Sequence, residues 1–380
     1  MPTESTRLSD LDARDREHAI GQAADALRDG GLVVLPTETV YGVFAAADQP
    51  DAVARLTGAW DGAAEHAESN PDAPAFFWHA GTREDVVERV SLPTPVARRL
   101  VDRLMPGPAR FEIEQDGPTL ESLRGGLGIA PGVIDAGGTL AVRVPDHDAC
   151  ARVLERAGVP AVALGLSMSS FGGAGAGTNA AIDGGAAIQP DVVVDDGPTR
   201  FARPSTLIRL GLDGKFDVGA GGAIDESVVL GALERVVMFV CTGNTCRSAM
   251  ARAIAQKLID ERAYEGITTR AESAGVAAGP GVPASPDAVD VLATMGIDLS
   301  GHRSQPVTRM MIREADVVYT MTPSHAEAVM TMMPEAAEKV FPLDPRGVIE
   351  DPIGQGRDVY ERTARRLEEL IRQRLEELDR

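Results

Sequence analysis

A run of strand formers, Arg235-Val-Val-Met-Phe-Val240, leads straight into Cys241-Thr-Gly-Asn-Thr-Cys-Arg-Ser248, and a helical pattern starts at Ala249. No other feature constrains the fold as tightly. A short apolar run with a tight glycine-containing loop and then a helix reads as the first turn of a strand–helix–strand unit, which parallel strands need for their crossovers. The pattern repeats downstream. The spacing predicts a helix from Ala249 to about Ala263, a strand around Ile267–Glu272, a helix over Pro286–Met295 and a buried strand at Asp316–Met321. A last helix, Arg357–Asp379, sets Tyr360, Leu367, Ile371, Leu375 and Leu378 on one face and leaves the rest to Arg and Glu. Such alternation predicts an α/β domain with a doubly wound parallel sheet and a ligand site beyond the carboxyl ends of its strands.

The loop at Cys241 lies where that site is expected. Consecutive backbone N–H groups at a strand-to-helix turn can face inward as a nest at the positive end of a helix, and phosphate oxygens fit such a nest. Arg247 offers a planar fork for two of those oxygens. Gly243 permits close approach, and Asn244 is one of the few residue types besides glycine that tolerate a left-handed backbone. The same field favours the thiolate of Cys241, the nucleophilic form, and Ser248 can donate a hydrogen bond to it. Thr242, Thr245 and Cys246 complete this phosphate-binding loop. Phosphoryl transfer also needs an acid for the leaving group and a base for water, and Asp351, restricted by Pro352, is the candidate.

At 380 residues the chain exceeds one ordinary core. Upstream of the loop, residues 13–30 show helical apolar spacing, Leu32–Leu35 reads as a short strand closed by Pro36, and strand-like runs recur at Leu140–Val144 and Val192–Val194. Asp61–Pro74 and Ser167–Gly177 read as loops. A Gly-rich stretch after Gly211 places the boundary near residue 233, giving domains 1–233 and 234–380. The net charge of −20 falls mostly before residue 234 and argues against nucleic-acid partners; its plainest meaning is solubility. Cys150, Cys241 and Cys246 are too few and too scattered for a disulfide scaffold or a zinc site. With a polar N-terminus and no apolar stretch near eighteen residues, the expectation is a cytoplasmic protein with no membrane partner.

Residues 235–380 resemble the low-molecular-weight protein tyrosine phosphatase family. The carriers are VCTGNTCRSAMA, AESAGVAAGPGVPASPDAVDVLATMGIDLSGHRS, ADVVYTMTPSH and EDPIGQG. The resemblance implies Cys241 as nucleophile, Arg247 as phosphate clamp, Asp351 as acid and base, phosphorylated proteins as substrates, and neither cofactor nor metal. It also implies that His302 braces the loop through Asn244; from spacing alone, a surface histidine fits as well. Arsenate reductases share the fold and loop, but they relay a disulfide through further cysteines, and none follows Cys246. Cys246 itself is either a small apolar filler or a partner that traps oxidised Cys241 as a disulfide. Cys150 reads as structural.

Thr245 stands where tyrosine-specific members carry a bulky aliphatic residue, and Ile353-Gly354 where they carry aromatics. Both features resemble the protein-arginine-phosphatase branch, in which a small hydroxyl side chain makes room for a guanidinium. The expectation is therefore a phosphoarginine phosphatase, with phosphotyrosine as the alternative.

Residues 14–233 resemble the YrdC-like threonylcarbamoyl-AMP synthase family through GGLVVLPTETVYGVFAAA, LMPGPARF, LAVRVPDH and VVVDDGPTRFARPSTLIRL. The resemblance implies a twisted α/β sheet with a cleft lined by Thr37, Tyr41, Arg143 and Ser205. The family also needs a Lys-x-Arg pair to neutralise triphosphate, where this chain reads Leu56-Thr-Gly-Ala-Trp60, and no lysine precedes Lys215. The Ser-Ala-Asn signature is altered too, to Gly165-Leu-Ser167. The domain is thus expected to be catalytically inactive while able to hold a nucleotide or a protein ligand. A bifunctional enzyme is the further alternative, and a scaffold the plainest one.

Overall fold

The computed structural model describes residues 8–58, 74–166, 189–261 and 266–378. The sequence-predicted loop Ser167–Gly177 lies outside them, as does nearly all of Asp61–Pro74. The chain divides into two compact units, Met1–Ala232 and Leu233–Arg380.

The first unit is built on a mixed sheet. Its strands are β1 (Val33–Leu35), β2 (Gly42–Ala46), β3 (Phe77–His79), β4 (Ala109–Glu114), β5 (Asp135–Ala136), β6 (Thr139–Arg143), β7 (Ala161–Gly165), β8 (Val192–Val193), β9 (Thr206–Leu210) and β10 (Phe216–Val218). They lie side by side as β10-β9-β4-β6-β3-β7-β2-β1-β8, with β5 added to β6. Helix Ala13–Arg28 begins at Asp12, whose carboxylate accepts the Arg14 and Asp15 amides, and it buries Ile20, Ala23, Ala24 and Leu27. Those side chains share one apolar cluster with Ala149, Cys150, Val153 and Leu154 of helix Asp148–Ala157. Cys150 is a core residue there, and burial holds its thiol well above the ordinary range.

The second unit has four parallel strands, β11 (Glu234–Cys241), β12 (Thr268–Gly275), β13 (Val317–Thr320) and β14 (Val340–Pro342), in the order β12-β11-β13-β14. Apolar clusters cover both faces. One joins Phe239, Met250, Ile254 and Val291 to Tyr360, Leu367 and Ile371 of the final helix, Arg357–Glu377; the other joins Met238, Val240, Ile312 and Val329. This is the doubly wound α/β arrangement that the alternation predicts, with the Cys241 loop at a strand's carboxyl end.

Strand β12 runs further than its composition suggests. Glu272-Ser-Ala-Gly275 contains no β-branched residue, yet it pairs with β11 as far as Cys241↔Gly275. Tertiary pairing overrides propensity here, and it carries Ser273 and Gly275 beneath the loop.

Candidate active site

Residues Cys241–Ser248 curl between the end of β11 and helix Arg247–Asp260. The loop's carbonyls are drawn outward by donors from its surroundings. Cys241 O accepts from Val276 N, Thr242 O from Ala277 N, Thr245 O from Ser285 N and Cys246 O from Met250 N, all at 2.9–3.0 Å. Asn244 O lies 2.6 Å from His302 Nε2, so the buried imidazole donates to it. With the carbonyls so held, the amides of Thr242, Gly243, Thr245 and Cys246 donate to no acceptor among the described residues. A row of unpaired N–H groups at a helix start is a nest for an anion.

Asn244 takes the left-handed conformation, φ +56°. Its buried amide ties the loop together: Nδ2 donates to Ser248 Oγ at 2.9 Å and to Ser273 Oγ at 3.0 Å, while Oδ1 accepts the Gln305 amide at 2.9 Å. The loop also presses against β12. A Cβ at Gly275 would collide with the Thr242 carbonyl oxygen and stand 3.0 Å from Asn244 N, so only glycine fits there.

Cys241 Sγ is buried at the base of the loop, 2.9 Å from Ser248 Oγ and 3.3 Å from the Asn244 amide. Both contacts stabilise a thiolate. Arg247 is buried as well. Its Nη1 donates to Ile349 O at 3.0 Å, its Nη2 to Asp351 Oδ2 at 2.5 Å, and its Nε has no partner among the described residues. A buried guanidinium with a spare donor and a row of unpaired amides is suited to an oxyanion with several oxygens. The Asp351 carboxylate is 42 % exposed, which leaves it open to a substrate and to water. Thr245 is half-buried, and among the described residues its Oγ1 meets only the Cys246 sulfur, at 3.7 Å.

Cys246 faces away from this group. Its sulfur sits 3.3 Å from Ser285 Oγ and 3.2 Å from Tyr360 Oη, and Cys241 and Cys246 are both free thiols.

The sequence reading missed His325. It is buried, with Nε2 2.9 Å from Thr242 Oγ1 and Nδ1 2.8 Å from Thr322 Oγ1. Burial and then the Arg247 charge hold its pKa below the ordinary histidine value, against the opposing pull of Asp351. The segment ADVVYTMTPSH carries it, but a histidine in the first turn of a helix has no signature of its own. Ser273, Ser285 and Tyr360 were equally invisible as loop supports.

In the first unit, Thr37, Tyr41, Arg143 and Ser205 meet around a cavity of about 80 Å³. Buried Arg143 donates through Nη2 to Glu38 Oε1 at 2.8 Å and to Thr39 Oγ1 at 2.7 Å. Tyr41 Oη donates to Gly197 O at 2.7 Å, and burial pushes its pKa far above the ordinary tyrosine value.

Comparisons with known proteins divide the chain in the same way. The family model described as low molecular weight phosphotyrosine protein phosphatase matches residues 236–380, and the Sua5/YciO/YrdC model, described as telomere recombination, matches residues 25–218. A protein-arginine-phosphatase of Bacillus subtilis is 40 % identical over 147 residues, 37 % of this chain and 95 % of that protein. A solved low molecular weight protein tyrosine phosphatase from T. tengcongensis is also 40 % identical, over 38 % of this chain and 99 % of that one, with a TM-score of 0.36. A threonylcarbamoyl-AMP synthase of Pyrococcus abyssi is 27 % identical over 205 residues, 54 % of this chain and 54 % of its own length, so the chain spans about half of that relative. Residues 236–380 therefore belong to the low molecular weight phosphotyrosine protein phosphatase family, cysteine-dependent hydrolases of phosphoester and phosphoramidate bonds, and residues 25–218 to the Sua5/YciO/YrdC family.

Proposed function

We propose that residues 234–380 form a protein-arginine phosphatase working through a phosphocysteine on Cys241. The phosphoryl group of a phosphoarginine side chain would sit in the nest, held by the loop amides and the spare Nε of Arg247. The Cys241 thiolate attacks phosphorus, the P–N bond breaks, and protonated Asp351 gives its proton to the departing guanidinium nitrogen. Asp351, now a carboxylate, takes a proton from water as that water attacks phosphorus. The P–S bond then breaks, releasing orthophosphate and restoring the thiolate. The loop amides and Arg247 offset the charge on the equatorial oxygens throughout. Asp351 is paired with Arg247; a phosphoryl group competes for that guanidinium and frees the carboxylate for the leaving atom.

The observation that carries the chemistry is the loop itself, with its carbonyls turned out and the amides of Thr242, Gly243, Thr245 and Cys246 unpaired among the described residues around Cys241 Sγ. For the donor it is Thr245, small, half-buried and unengaged by any strong acceptor, so its hydroxyl is available to a guanidinium. Intact-mass analysis of Asp351→Ala after mixing with phosphoarginine peptide tests the intermediate: a phosphorylated adduct on Cys241 supports it, and its absence with turnover retained excludes it.

The first unit, in this reading, makes no threonylcarbamoyl-AMP, because its cleft lacks the lysine that would neutralise triphosphate. It keeps a binding cleft. Pyrophosphate release from ATP with threonine and bicarbonate, tested on the full chain, would overturn the loss.

A further inference from the structure

The Cys241 loop is rich in donors and poor in acceptors. The amides of Thr242, Gly243, Thr245 and Cys246 and the Nε of Arg247 donate to nothing among the described residues, which suits phosphoryl oxygens and does nothing for a guanidinium. A phosphorylated guanidinium brings several N–H groups, and each needs an acceptor once it leaves water. Asp351 faces the departing nitrogen and Thr245 offers a hydroxyl. The structure holds one more acceptor in place, and His325 is what holds it. Helix Pro323–Met332 starts at Thr322, the position whose side chain ordinarily accepts an amide of the first turn, yet Thr322 makes no such bond. Its hydroxyl instead lies 2.8 Å from Nδ1 of His325 and 2.9 Å from Ser324 Oγ. The other ring nitrogen, Nε2, is 2.9 Å from Thr242 Oγ1, and among the described residues that hydroxyl has no other partner. The helix thus forgoes its cap to hold an imidazole, and the buried imidazole in turn holds one exposed threonine next to the nucleophile.

A neutral imidazole has one N–H and one lone pair, and burial and then the Arg247 charge favour the neutral form of His325. The field of the loop decides which nitrogen carries the hydrogen. Unpaired amides and a guanidinium make the loop positive, and hydroxyl dipoles turn in such a field. The Thr242 O–H is therefore directed away from the nest and donates to Nε2. Nδ1–H then donates to Thr322 Oγ1, and the Thr322 hydroxyl donates to Ser324. This leaves the Thr242 oxygen with open lone pairs at an exposed position on the loop.

We propose that Thr242 Oγ1, oriented by His325, accepts a hydrogen bond from the guanidinium of the phosphoarginine side chain. Thr242 is then a substrate contact and His325 a positioning residue. This rests on the reading of the site as a protein-arginine phosphatase. As Asp351 delivers its proton to the departing nitrogen, positive charge grows on the guanidinium and the bond to Thr242 strengthens, so its loss falls on kcat more than on KM. The leaving group of phosphotyrosine has no N–H to offer.

The test is kcat and KM of the full chain on matched phosphoarginine and phosphotyrosine peptides. The proteins compared are wild type, Thr242→Val, Thr242→Ser, His325→Ala and the double variant of Thr242→Val with His325→Ala. Valine keeps the branched shape of threonine and removes the hydroxyl. Thr242→Val and His325→Ala should each lower kcat/KM for phosphoarginine roughly tenfold more than for phosphotyrosine. Thr242→Ser should recover most of that difference, and the double variant should fall no further than Thr242→Val, because both changes remove one contact. Equal losses on the two donors, or a double variant that multiplies the single effects, would overturn the contact while a wild-type preference for phosphoarginine leaves the donor reading standing. Orthophosphate inhibition weakened in Thr242→Val as much as phosphoarginine turnover would also overturn it, assigning the hydroxyl to the phosphoryl group. A wild type with no preference for phosphoarginine would overturn the donor reading and this contact together, before any variant is compared.

Discussion

Replacing Asn244 separates the two things it does for the phosphate loop. Asn244→Ala leaves the buried Ser273 hydroxyl without its partner, at about 1–3 kcal/mol for a buried group left unpaired. Alanine must also hold φ +56°, which costs about 1–2 kcal/mol for a residue with a Cβ and no local hydrogen bond to offset it. The expected loss is therefore about 2–5 kcal/mol for the second unit. Asn244→Gly loses the same hydrogen bonds and escapes the backbone term, so it should be about 1 kcal/mol more stable than the alanine variant. Tryptophan fluorescence is blind to this unit, since Trp60 and Trp78 both precede it, so hydrogen exchange at the β11 and β12 amides in rising urea is the suitable assay. Both variants should also lose roughly 100-fold in kcat, since the loop amides shift against the thiolate. Alanine equalling or exceeding glycine in stability, or both variants staying within about 0.5 kcal/mol of wild type, would show that Asn244 does not hold the loop in this way.

Asp351→Asn should lower kcat by roughly 100- to 10,000-fold while orthophosphate inhibits at least as tightly as in wild type, because Arg247 is released from its carboxylate; steady-state inhibition measures both. Gly275→Ala drives a methyl group into the Thr242 carbonyl and should cost at least about tenfold in kcat, with little change in the first unit's melt. His325→Ala frees the Thr242 hydroxyl and should reduce kcat more than KM, with partial recovery in His325→Asn; equal kcat in all three proteins would remove His325 from the site. In the first unit, burial and then Arg143 hold His79 at about 3, against 6.5 in the ordinary residue. The unfolded chain thus binds a proton across that window that the folded one does not, and stability falls as pH drops below 6.5, by up to about 1.4 kcal/mol per pH unit. His79→Gln should flatten that slope in urea melts read by Trp78.

Much of the second unit was legible because its signals are local. Strand, loop and helix follow one another without a gap at Cys241, and the residues proposed to touch a phosphoryl group directly, Cys241 and Arg247, sit in one short segment. The scaffold behind them was not legible. Ser273, Ser285, His325 and Tyr360 reach the loop from separate elements, and only strand order and register bring them there. The true end of β12 was hidden for the same reason, since Glu272-Ser-Ala-Gly275 is strand by pairing and not by propensity. In the first unit the cleft residues Thr37, Tyr41, Arg143 and Ser205 were found through resemblance.

The proposed phosphocysteine chemistry and phosphoarginine preference meet in kcat/KM on matched phosphoarginine and phosphotyrosine peptides, with Cys241→Ser as the blank and Thr245→Ile alongside. Turnover should be absent from the blank, phosphoarginine should be preferred by wild type, and that preference should be lost in Thr245→Ile. A preference for phosphotyrosine would contradict the donor assignment, and equal turnover in Cys241→Ser would contradict the mechanism itself.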